Sequence, residues 1–182
     1  MQWKPFEYNG KTFDLSHVHP FEWEYTAPAA DKRPERTYRM IVQFSMHTFT
    51  RGIEQGEGVE TAMIYRDVEN TKEERAFDFL RYELSNQLPD IIRGLGEKAC
   101  YHTHHGNFFT IEATAPNGVA SEYEVYFQLS RAKGKGEWLH LYIQSAYVRD
   151  KSHGTTQPRK RKIRFQVIAH NIIHGKAIKA GR

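Results

Sequence analysis

Three stretches near the C-terminus decide the reading of the fold: VASEYEVYFQLSR (residues 119–131), EWLHLYIQSAYVR (137–149) and RKIRFQVIAHN (161–171). Each alternates. In the first, Tyr123, Val125, Phe127 and Leu129 share one face, against Glu122, Glu124, Tyr126, Gln128 and Ser130. In the second, Leu139, Leu141, Ile143 and Tyr147 oppose Trp138, His140, Tyr142 and Gln144. In the third, Ile163, Phe165, Val167 and Ala169 oppose Lys162, Arg164, Gln166, Ile168 and His170. Period-two alternation marks strands with one buried face. With turns at Lys133 to Gly136 and Asp150 to Arg159, the three stretches predict a C-terminal antiparallel β-meander over 119–171.

Upstream, Asn9 and Gly10 sit between Phe6/Tyr8 and Thr12/Phe13, which predicts a tight hairpin. Phe21, Trp23 and Tyr25 alternate with Glu22 and Glu24, a further strand. The proline-containing run Ala27 to Glu35 is a loop and marks the seam of an N-terminal β extension, residues 1–26. Thr37 to Arg51 and Val59 to Val68 read as a long hairpin. Thr71 and Glu74 have capping-box spacing, and Phe77, Leu80, Leu84 and Leu88 recur at three and four residues. That pattern predicts the principal helix over about 71–88, ended by Pro89. Cys100 to His105 and Phe108 to Thr114 read as strands. The class expected is α+β, one domain over 1–182 built on an antiparallel sheet, with a basic tail at 174–182.

Composition narrows the function classes. There is no apolar run of membrane length and no N-terminal signal segment, and one cysteine, Cys100, permits no internal disulfide. A cytoplasmic, bacterial protein is the expectation. The net charge of +4 is uneven. Residues 149–182 carry ten Lys and Arg against the single acid Asp150, whereas residues 1–148 carry 16 against 21 acids. A basic end on an acidic body points to an anionic partner, with nucleic acid first and RNA ahead of DNA. The same end could dock a protein partner.

Chemistry is expected on the polar face of the meander. Cleavage of RNA without metal needs a base for the ribose hydroxyl, an acid for the leaving oxygen and a cation for the phosphate. Glu124 or His140 would be the base, His170 or His140 the acid, and Arg164 the cation. Tyr126 and Tyr142 would stack on bases. Arg149, Lys151, Arg159, Lys160, Arg161 and Lys162 would bind the phosphate backbone. A non-catalytic nucleic-acid-binding or adaptor protein using the same face is the alternative. A second alternative is a zinc site from His47, Cys100, His102 and His104, since imidazole and thiolate suit that ion. On the first reading no cofactor is needed.

A helix followed by a meander with basic and acid/base residues resembles the small ribonuclease toxins of the RelE and barnase kind. The resemblance covers about Asn70 to Asn171 and is architectural, carried by no sequence motif. It implies metal-independent RNA cleavage.

Overall fold

The Asn9-Gly10 hairpin forms as its dipeptide predicts. Strand β1 (Phe6–Tyr8) pairs with β2 (Lys11–Phe13), with Asn9 at φ 49° and Gly10 at φ 72°. Two successive positive φ angles match the right-handed twist of the flanking strands. There follow β3 (Phe21–Ala27), β4 (Arg36–Phe44), β5 (Thr50–Arg51), β6 (Ile64–Arg66) and β7 (Glu74–Phe77). Helices α1 (Phe79–Ser85) and α2 (Leu88–Arg93) lead to β8 (Ala99–His102), β9 (Phe108–Thr114), β10 (Ser121–Arg131) and β11 (Leu139–Val148). The chain closes with β12 (Lys162–Arg164) and α3 (Phe165–Ile173). This computed structural model describes residues 2–29, 34–66, 73–103, 107–114, 118–149 and 161–178.

The main sheet has seven strands in the order β12-β8-β9-β10-β11-β4-β3. Every pair is antiparallel except β11 with β4. Its apolar face carries Tyr123, Val125, Phe127 and Leu129 from β10, with Leu139, Leu141 and Ile143 from β11 and Met40 and Val42 from β4, all buried. Helix α3 lies on that face: Phe165 meets Trp23 at 5.6 Å, Tyr25 at 5.3 Å and Phe127 at 6.2 Å between ring centroids. The class is therefore α+β, as read.

Beyond the end of β4, a small sheet of order β5-β7-β6 joins the β1-β2 hairpin and α1 around an aromatic centre. Phe6 stacks on Phe77 at 4.0 Å, and Trp3 meets Phe49 edge-on at 5.5 Å. These rings belong to one hydrophobic cluster with the main core, and β3 is a full edge strand. Residues 2–27 thus join the packing of both sheets.

Several boundaries differ from the sequence reading. The expected helix over 71–88 is three elements. Glu74 to Phe77 form a strand, and Asp78 caps α1 by accepting the Arg81 N–H at 3.0 Å. Aspartate at the N-cap satisfies a free helical donor, so it displaces the Thr71/Glu74 start; Thr71 itself lies outside the described residues. Pro89 opens α2 rather than ending a helix, because its missing N–H is harmless in a first turn. The long hairpin of 37–51 with 59–68 does not form: β4 enters the main sheet, and β5 and β6 both pair with β7.

The third meander strand is also corrected. Only Lys162 to Arg164 is extended, and it pairs with β8 at the far edge. Phe165 to Ile173 is helical because Phe165, Ile168, Ala169 and Ile173 are apolar at helical spacing, and all four are buried. A helix followed by an antiparallel meander persists, as α1 and α2 before β8 to β11, but residues 161–171 are not a strand of that meander.

Candidate functional site

The second face of the main sheet is the polar one, and a β-bulge shapes it. The β10/β11 register shifts between Tyr126 and Phe127, so that Tyr126 faces Ser145 while Phe127 faces Ile143. The extra residue reverses the alternation of β11 beyond it. Ala146 turns into the core, and Tyr147, expected on the apolar side, pairs with Glu124 on the polar side. The polar face then reads His140, Tyr142, Ser145 and Tyr147 on β11, with Glu124, Tyr126, Gln128 and Ser130 on β10. Strand β4 adds Ile41 and Gln43. Gln128 and Ser130 are exposed; Gln43, His140 and Tyr142 are half-buried.

His140 and Tyr142 lie 6.1 Å apart, and His140 Nε2 is 2.7 Å from Gln43 Oε1. A glutamine oxygen accepts only, so Nε2 carries the proton. Burial lowers the imidazole pKa, which keeps the ring neutral. Trp138 stands one residue before β11, with the Lys135 ammonium 4.8 Å from its ring centre. It lines a groove of about 580 Å³ with Arg36, Arg39, Lys135 and Glu137.

Glu124 has a different role from the one expected. It is fully buried, and its two oxygens accept Arg149 Nε at 2.9 and 3.0 Å. Its Oε2 also accepts the Tyr126 hydroxyl at 2.7 Å. Arg149 Nη2 reaches the Tyr126 and Tyr147 hydroxyls at 3.2 and 3.0 Å, and those rings stack at 5.6 Å. Burial pulls the Arg149 pKa down, but the Glu124 bonds and charge outweigh it and raise the pKa overall. Burial, then bonds to Tyr147 and Glu124, raise that of Tyr126. Glu124 is thus the counter-ion of a closed knot, and Arg149 and Tyr126 are occupied within it.

The other expected residues are dispersed. Arg164 is on β12, four strand positions from β11, or about 19 Å at sheet spacing. His170 is on α3, against the opposite face, with its ring 4.3 Å from that of His174. His174 Nε2 in turn accepts from Arg36 Nη1 at 2.7 Å. Arg161 and Lys162 are exposed at the β12 edge. Lys151, Arg159 and Lys160 lie outside the described residues. The structure unites His140 with Tyr142, and Glu124 with Tyr126 and Arg149, but it does not assemble base, acid and phosphate cation at one point.

The zinc set is dispersed as well. Cys100 is buried in the core, and burial pushes its thiol up to about 12. His47 lies in the turn past the end of β4, a strand four positions from the β8 of Cys100, and His104 is outside the described residues. Among the described residues, no group of three or more His, Cys, Asp or Glu is placed to hold a metal.

A charged cluster that the sequence reading missed lies where β4 leaves the sheet. His47 Nε2 is 2.7 Å from Glu73 Oε1, and Arg75 Nη1 is 3.7 Å from the same oxygen. Arg81 Nη1 donates to the carbonyls of His47 at 3.2 Å and Thr50 at 2.9 Å, and its guanidinium carbon lies 5.4 Å from the Tyr147 ring centre. Burial, with the charges of Arg75 and Arg81, lowers the His47 pKa against the pull of Glu73. The signal in sequence is faint: Arg75 and Arg81 fall inside the expected helix of 71–88, and His47 stands far from both in the chain.

No helix among the described residues is long and apolar enough to cross a membrane. Neither a curated protein nor a solved structure matches the sequence. A family model does match, over residues 5–173. By that match, which spans nearly all of the sequence, the chain belongs to the YjaZ family.

Proposed function

We propose that this protein binds single-stranded nucleic acid, RNA in preference, across the polar face of its main sheet. The observation that carries the reading is the run of His140 and Tyr142 on β11 with Trp138 just before it, and Gln43, Gln128 and Ser130 beside them. Rings presented at intervals on a rigid strand accept stacked bases, and neighbouring amides and hydroxyls reach base edges. Arg39 and Lys135 border the run at its groove, and Arg161, Lys162 and Arg164 border the sheet at β12. These cations would track the phosphate backbone and make binding salt-dependent.

The non-catalytic form is favoured over a ribonuclease working through the expected quartet. Glu124 is sealed under Arg149, and Arg164 and His170 are remote from His140. The test is binding and integrity of mixed-sequence RNA with purified protein in EDTA, at low and moderate salt. Salt-sensitive binding of intact RNA is expected. Metal-independent cleavage that disappears in His140→Ala would restore the ribonuclease reading. Absence of binding at low salt would remove the nucleic-acid reading.

A further inference from the structure

Thr50, fully buried on β5, holds two arginines at once. Its hydroxyl accepts Arg75 Nε at 2.9 Å, and its carbonyl accepts Arg81 Nη1 at 2.9 Å. Both arginine side chains are mostly covered, 16% and 19% exposed. Their carboxylates stand off: Glu73 is 3.7 Å from Arg75 and Asp78 is 3.9 Å from Arg81, beyond hydrogen-bond length. Among the described residues, Nη1 and Nη2 of Arg75 and Nε and Nη2 of Arg81 thus lack an acceptor. Burial lowers the pKa of each guanidinium, and the charge of Arg81 adds to the effect on Arg75. The Tyr123 hydroxyl, buried within electrostatic reach of Arg81, also has no partner among the described residues.

Two like charges held in one half-buried site repel, and their N–H groups without an acceptor keep contact with solvent, where an anion can reach them. A tetrahedral, doubly charged oxyanion relieves the repulsion, and planar guanidinium donors fit its oxygens in pairs. The imidazole of His47 is at hand, since it shares Glu73 Oε1 with Arg75. Tyr147 carries the site to the end of the β11 run.

We infer that Arg75 and Arg81, with His47 beside them, form a binding site for a phosphate-type oxyanion at the Tyr147 end of the polar face. The phosphate comes either as a free phosphate or monoester, or as the terminal phosphate of a strand on the sheet. Only the second source rests on the nucleic-acid reading.

The test begins with calorimetric titration of the full chain with inorganic phosphate at low ionic strength. Wild-type protein should bind it. Arg75→Gln should bind about tenfold more weakly or worse, as loss of charge-assisted bonds implies, and Arg75→Lys should recover part of the affinity. If Arg75→Gln does not fold, the wild-type arginine Nε–H resonances decide: phosphate must shift those of Arg75 and Arg81. Absence of phosphate binding, absence of those shifts, or equal binding by wild type and a folded Arg75→Gln would overturn the proposal. Oligouridylates with a 5′-phosphate, a 3′-phosphate or neither then separate the sources. A phosphorylated oligomer whose advantage vanishes in Arg75→Gln supports the strand-borne source. Phosphate binding that depends on Arg75, with all oligomers equal, supports the free source. Phosphate binding without any oligomer binding leaves this site standing and removes the reading of the sheet face.

Discussion

Two groups of buried arginine lie near the Tyr147 end of β11, and they are built in opposite ways. Arg149 is paired at close range: a fully buried carboxylate takes its Nε, and two tyrosine hydroxyls take Nη2. Arg75 and Arg81 are held by a hydroxyl and carbonyls, with carboxylates 3.7 and 3.9 Å away. The first arrangement is paired within the chain and contributes to the fold. The second is held in longer ion pairs and keeps N–H groups without an acceptor among the described residues, which is what the inferred anion site requires.

The largest effect should come from breaking the closely paired group. Glu124→Ala leaves Arg149 buried without a counter-ion and should destabilise by about 3–5 kcal/mol in urea unfolding. Arg75→Gln, in phosphate-free buffer, should change stability by less than about 1 kcal/mol, because a lost bond to Thr50 is offset by relief of repulsion. Equal losses for the two variants would erase the contrast between the groups.

A second pair separates the two faces of the sheet. On the apolar side, a methyl at Gly96 would strike the Tyr25 ring, which is wedged between Tyr38 and Phe165. Gly96→Ala should destabilise by about 1–3 kcal/mol through overpacking. On the polar side, Tyr142→Ala should weaken oligonucleotide binding by about 1–3 kcal/mol, the scale of one stacked base, while its melting curve moves far less. Fluorescence anisotropy and thermal melts read the two quantities separately.

The smallest effect is the pH response. Burial lowers the pKa of His17, His47, His102 and His140. The folded state then binds fewer protons than the unfolded chain, whose imidazoles titrate near about 6.5. Their contribution to stability is complete above that pH and is lost as pH falls below it. Urea midpoints should hold above about pH 7 and decline toward pH 5. His140→Gln should make the decline shallower.

The class and the centre of the fold were legible because β10 and β11 alternate without competing signals. The rest was hidden where one segment carries two periods. Residues 161–171 alternate in polarity, yet Phe165, Ile168 and Ala169 also fit a helix, and packing against Trp23 and Tyr25 decided it. In 71–88 the capping-box spacing competed with Asp78, a single residue whose side chain reset the helix start. The face of Tyr147 depended on a bulge, which leaves no trace in alternation until the partner strand is known. The polar run His140 and Tyr142 was visible, whereas the cluster of His47, Arg75 and Arg81 joins three separate elements and could be found only once they were packed.

The central claim is that nucleic acid lies on the polar face, and amide and indole chemical-shift mapping with an oligouridylate tests it most directly. Shifts should concentrate at Trp138, His140, Tyr142, Gln43 and Gln128, with Phe165 to Ala169 of α3 unmoved. Shifts confined to α3 and the β12 edge, with Trp138 and Tyr142 silent, would contradict it.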